Sequence, residues 1–312
     1  MRITLVRGFG WAALAACLCL GGGLAVGCGA SEGGAASDKM LKVVATTTQL
    51  TDFTRVIAGA RADVYDVVKA NVDAHDFEPA PADVEAVRNA DVVIQNGVGL
   101  EEWLEATIES AAPQGKVVDA SKGIEILPGE GDEAEEGNPH IWFDPRNAKV
   151  MVANIVAALV AVDPPGASTY QARQRAYDAQ LDTLDAEIAS ALTRLANKKL
   201  VTNHDAFGYY VERYGLEFVG SVIPSFDTQA ELSSADIADL VDEIKTEGVK
   251  AVFSEASLPP KTAEAIASQA GVKIVAGDDA LFGDSLGPPG SDGDTYLKMQ
   301  RHNTRVIVEN LR

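Results

Sequence analysis

Short runs of β-branched and apolar residues alternate along the chain with longer segments in which apolar residues recur every three or four positions. The runs predict strands at Leu41–Ala45, Asp63–Val68, Asp91–Gln95 and Lys116–Asp119, then at Lys199–Thr202, Leu216–Gly220, Val249–Phe253 and Val272–Val275. The periodic segments between them predict helices near Leu50–Gly59, Pro81–Arg88, Leu100–Ser110 and Pro145–Val162. Later ones fall near Ala206–Tyr214, Ser233–Glu247, Pro259–Ala270 and Asp294–Leu311. Such alternation implies an α/β fold with mainly parallel strands. Two sets of four strands flank the stretch Ala167 to Asn197, which has no Gly or Pro and places Leu181, Leu184, Ile188, Leu192 and Leu195 at helical spacing. A continuous helix there would run roughly 45 Å. The expectation is an N-terminal lobe (41–166) and a C-terminal lobe (199–312) of parallel βα units, joined by one long rigid helix (167–198).

The N-terminus follows a different pattern. Arg2 and Arg7 precede an apolar run from Phe9 to about Leu24, which reads as an export signal. Small residues then lead to Cys28, and a Gly/Ala/Ser stretch follows it. This resembles a lipobox, so Cys28 is expected to carry the lipid and residues 29–40 to form a flexible tether. Leu14-Ala15-Ala16-Cys17 is a competing lipobox, but its use would leave a hydrophobic stub on the mature protein. No second apolar run is expected to be long enough to span a bilayer. All three cysteines lie in this leader. An exported metal site in the remainder must therefore be built from nitrogen and oxygen. The formal charge of −20 argues against nucleic acid and anionic lipid surfaces as partners. The run Pro128–Gly137 reads as a solvated acidic loop.

Three of the four histidines fall where a strand meets a helix. His75 follows the second predicted strand, His140 precedes a helix that Asp144 and Pro145 are suited to start, and His204 follows the first strand of the second half. His302, among Arg301, Asn303 and Arg305, is expected at the surface. In open α/β sheets ligand sites gather beyond the carboxyl ends of strands, so the three loop histidines favour a metal site between the lobes. Such a site calls for a carboxylate too. Asp278, Asp279 and Asp284 are candidates, and spacing does not choose among them.

The stretches His75-Asp76-Phe77-Glu78-Pro79, Asn138-Pro139-His140-Ile141-Trp142-Phe143-Asp144-Pro145 and His204-Asp205-Ala206-Phe207-Gly208-Tyr209 resemble those of zinc/manganese solute-binding lipoproteins of ABC transporters. Asn96 to Trp103, Ile244-Lys245 through Phe253-Ser254-Glu255, and Asp284-Ser285-Leu286-Gly287 are similar to that family as well. The likeness covers the chain from about Leu41 onward. It implies one buried metal between the lobes, with His75, His140, His204 and Asp284 as ligands. An ABC permease with its ATPase would then be the partner, and the membrane would be touched through the lipid anchor alone. The chain departs from many zinc-specific members, whose loop before the Asn-Pro-His motif is histidine-rich where this one is acidic.

Three imidazoles and a carboxylate suit Zn²⁺, which the divalent affinity order also places above Mn²⁺. Two-oxygen binding by Asp284 would suit Mn²⁺. Binding is expected to weaken below about pH 6.5, where free imidazoles protonate. Phe77, Trp142 and Phe207 are expected to shield the ion. A rigid connecting helix implies small closing motions rather than a wide hinge. The competing classes are a secreted zinc hydrolase, disfavoured because all four ligands would be protein atoms, and a surface adhesin with a structural metal.

Overall fold

The computed structural model describes residues 40–129, 137–230 and 233–312. The predicted leader with Cys17 and Cys28, and the acidic residues 130–136, lie outside them. The first four strands are β1 (Leu41–Ala45), β2 (Ala62–Asp66), β3 (Val92–Gln95) and β4 (Lys116–Asp119). They form one parallel sheet in the order β2-β1-β3-β4. The chain steps outward from β1 to β2 and then back past β1 to β3, a reversal that opens a crevice at the carboxyl ends. Side chains alternate across this sheet: Val43, Ala45, Val92 and Ile94 enter the main core, and Val44 and Val93 the opposite face. The connecting helices are α1 (Thr48–Ala58), α2 (Pro81–Asn89) and α3 (Glu102–Ala111).

Helix α4 (Pro145–Val162) starts as its sequence requires. The Asp144 carboxylate accepts from the Arg146 N–H at 2.8 Å, with Pro145 in the first turn. Contrary to the expectation of a single such run, α4 is long and apolar enough to cross a membrane. It is instead a core helix. Met151, Val152, Ile155 and Leu159 are fully buried, and the helix packs on α1, β3 and β4. Helix α5 (Ala167–Leu192) lies along it, burying Tyr170, Tyr177, Leu181, Leu184, Ile188 and Leu192 on one stripe. Its 26 residues span roughly 39 Å, shorter than expected. The final predicted turn is lost because Leu195 folds into the core and Asn197 accepts from the Lys199 N–H at 3.0 Å, which starts the next strand.

The second lobe contains two parallel pairs, β5 (Lys199–His204) with β6 (Glu217–Ile223), and β7 (Ala251–Phe253) with β8 (Lys273–Val275). β5 lies against β7, so the pairs are neighbours. Helices α6 (Gly208–Tyr214), α7 (Ser234–Glu247) and α8 (Lys261–Ala270) connect them. Leu200, Ala251 and Phe253 join the same core as the first lobe, whereas Val201 and Val252 pack beneath α7 and α8. The last helix, α9 (Tyr296–Leu311), returns to α5 and α1. One continuous apolar core therefore crosses from lobe to lobe. A wide hinge would have to break it, which limits closure to local shifts.

Candidate metal centre

His75, His140, His204 and Asp284 all lie at or beyond the carboxyl ends of strands. His75 is in the loop after β2, His140 between β4 and α4, His204 at the last position of β5, and Asp284 in the segment after β8. Their side chains converge. His140 Nε2 is 3.2 Å from His75 Nε2 and 3.3 Å from His204 Nε2. Asp284 Oδ1 is 3.3 Å from His140 Nε2, and Oδ2 is 3.4 Å from His204 Nε2 and 3.8 Å from His75 Nε2. Donors around a tetrahedral ion at ~2.0 Å stand about 3.3 Å apart, so the cluster has the dimensions of a zinc shell. Asp278 and Asp279, the other candidates, are exposed, and Asp279 faces Arg305 at 3.5 Å.

Electrostatics point the same way. The side chains of His140, His204 and Asp284 are wholly buried and that of His75 is 8% exposed. Neither Asp284 oxygen has a hydrogen-bond partner of normal geometry. Two buried anionic oxygens facing three imidazole nitrogens are what a cation would satisfy. Burial pushes the His140 imidazole down to about 3, so it is neutral at physiological pH. Burial opposes charge on His204 as well, but the Asp284 and Glu255 carboxylates outweigh it and hold that imidazole well above its ordinary value. In turn, burial would raise Asp284, but His204, His140 and His75 keep it well below the usual carboxylate range.

A surrounding layer aims the rings. The Asn138 Oδ1 accepts from both the backbone N–H and the Nδ1–H of His140, each at 2.9 Å, which leaves Nε2 bare toward the cluster. Asn138 is itself fixed, its carbonyl accepting from the Tyr209 hydroxyl and its N–H donating to Leu127. Glu255 Oε1 performs the same task for His204, accepting from Nδ1–H at 2.8 Å and from the backbone N–H at 3.1 Å. A side chain at Gly283 would collide with the Glu255 carboxylate, so glycine is needed for that close approach. Gln49 Nε2 donates to the Asp284 carbonyl at 3.1 Å, and the Leu286 N–H donates to Thr48 Oγ1 at 2.7 Å. The start of α1, in the first lobe, thereby anchors a segment of the second.

His302 is a correction to the sequence reading. It is buried rather than exposed, and its Nε2–H donates to the Ala280 carbonyl at 2.9 Å. Its neighbour Asn303 bonds both the N–H and carbonyl of Phe282, so α9 holds the strand exit that leads to Asp284. Of the three aromatic residues expected near the ligands, Trp142 packs its ring against one, with centroids 5.4 Å from His140. Phe77 packs on Trp103, and Phe207 on Phe143. Phe226, unremarked in the sequence, lies 6.2 Å from His140 instead. Asn138 and Glu255 were visible only within longer motifs, and Gln49 and Thr48 carried no signal beyond a helix start.

Two α/β lobes meeting on a buried set of nitrogen and oxygen donors define a bilobed solute-binding protein rather than an enzyme. The chain belongs to the family of the zinc-uptake complex component A, periplasmic, whose profile matches residues 43–310. It is 33% identical to the iron ABC transporter substrate-binding lipoprotein MtsA of Streptococcus pyogenes, over 92% of this chain and 94% of that one. The manganese-binding lipoprotein MntA of Halalkalibacterium halodurans is 34% identical, with the same coverage. Among solved structures, the periplasmic zinc-binding protein TroA of Treponema pallidum superposes with a TM-score of 0.81. It is 30% identical, over 88% of this chain and 99% of that one.

Proposed function

We propose that this chain is the extracytoplasmic substrate-binding component of an ABC importer. It captures a divalent transition metal, Zn²⁺ in preference to Mn²⁺, on His75, His140, His204 and Asp284, and delivers it to a membrane permease driven by its ATPase. The protein is exported and lipid-anchored to the outer face of the cell membrane, with Cys28 as the lipidated residue. The observation that carries the reading is the convergence of four ligand atoms within 4.8 Å of one another at a buried point. With two imidazoles already aimed by Asn138 and Glu255, capture costs little ordering entropy. The names of relatives support a metal cargo but divide among zinc, manganese and iron.

Zinc is favoured by the nitrogen-rich donor set and the near-tetrahedral spacing. Manganese gains support from Asp284, whose two oxygens both face the histidines and could bind together. Competition binding on tag-free protein, wild type against His204→Glu, separates the two. Replacing nitrogen by oxygen should lower the Zn²⁺ over Mn²⁺ preference on the order of tenfold. An unchanged ratio would remove His204 as the basis for zinc preference. Asn138→Ala, which leaves every ligand in place, is expected to weaken Zn²⁺ binding roughly 10–100-fold by releasing the His140 ring. Chelator competition measures this, and wild-type affinity would mean that His140 is held by packing alone.

A further inference from the structure

A cleft of about 180 Å³ opens beside the cluster, lined by His75 and Pro139 from the first lobe and by Phe226, Asp227 and Gln229 from the second. His75 is the one cluster residue that is not fully buried, and it faces this cleft. Two side-chain bonds tie the lobes across its mouth. Thr228 Oγ1–H donates to Asp73 Oδ2 at 2.6 Å, and Gln229 Nε2 donates to Asp76 Oδ1 at 3.2 Å. The other oxygen of Asp73 accepts from the His75 backbone N–H at 2.9 Å. One carboxylate thus joins the second lobe to the backbone of the outermost cluster residue, and the two ties bracket it in sequence.

The remaining three residues are sealed from other directions. Trp142 and Phe226 cover His140, β5 carries His204 into the interior, and α1 and α9 close over the Asp284 segment. The shared core leaves little room for rigid-body opening, so passage of an ion must come from a local movement. We propose, resting on the metal-binding reading above, that the ion passes in and out along His75 and that Thr228 sets the rate by latching residues 225–230 to Asp73. Neither tie uses a ligand atom of the cluster. The latch therefore governs the speed of exchange more than the equilibrium.

That division gives the test. Thr228→Val keeps the size of the side chain and removes the donor. Zn²⁺ release into excess chromogenic chelator and Zn²⁺ uptake, followed by intrinsic tryptophan fluorescence, are measured by stopped flow. Both rates should rise together by roughly fivefold, the effect of about one hydrogen bond, with the dissociation constant changing far less, and Thr228→Ser should restore both. Unchanged rates, or a faster release matched by an equal loss of affinity, would overturn the latch while leaving the metal site intact. Failure of the wild-type protein to bind Zn²⁺ would instead remove the reading on which it rests. A second variant locates the path. Asp227→Lys reverses a charge at the mouth and should slow Zn²⁺ uptake severalfold at low salt, an effect that shrinks as salt rises. An uptake rate insensitive to this change would place the passage elsewhere.

Discussion

Asp284→Ala is expected to weaken Zn²⁺ binding by roughly 10²–10³-fold, a loss of about 3 kcal/mol from the 10–16 kcal/mol typical of a four-ligand zinc shell. Asp284 supplies the anion of the cluster and is gripped from both sides, by Gln49 at its carbonyl and by α9 through Phe282. It therefore reaches the site already oriented, and its removal forfeits both a ligand and the charge that offsets the cation. The metal-free variant should still unfold cooperatively, because His204 keeps its bonds to Glu255. Isothermal titration of wild type, Asp284→Asn and Asp284→Ala checks the order of affinities. Equal affinity in all three would remove Asp284 from the shell.

Zn²⁺ binding is also expected to release close to one proton at neutral pH. His140 is already neutral, since burial holds it near 3. His204 is raised well above its usual value by Asp284 and Glu255 against the cost of burial, so the metal-free protein carries an imidazolium there. The ion must displace that proton. The sign follows from linkage: a group protonated in the free state and deprotonated in the complex makes affinity rise with pH, about tenfold per unit, until pH exceeds the raised value on His204. Affinity should thus already decline from above the ordinary histidine range, rather than only below it as the sequence suggested. Titrations in buffers of different ionisation enthalpy count the protons. A count of zero at pH 7 would mean that His204 is neutral before the metal arrives.

Alternating strand and helix patterns were enough to anticipate both lobes and the connecting helix, because each parallel strand is apolar and each crossover helix is amphipathic. The three loop histidines drew attention only jointly: one histidine at a strand exit is readily structural, whereas three gathered at such exits favour a shared site. Asp284 was not separable from Asp278 and Asp279 by spacing, since the choice depends on how α9 and α1 pull the segment inward. Resemblance to known sequences pointed to it. His302 was misread because its neighbours Arg301 and Arg305 are exposed, yet α9 is covered on more than one side and turns His302 and Asn303 toward the loop they hold. Thr228 and Gln49 left no trace in the sequence, since each acts only through a partner from the opposite lobe.

The most direct test is diffraction at the zinc absorption edge from crystals of metal-loaded protein. One strong anomalous peak should fall about 2.0–2.2 Å from Nε2 of His75, His140 and His204 and from at least one oxygen of Asp284. A peak bound by other side chains, or density at this point explained by water alone, would contradict a shared metal between the lobes.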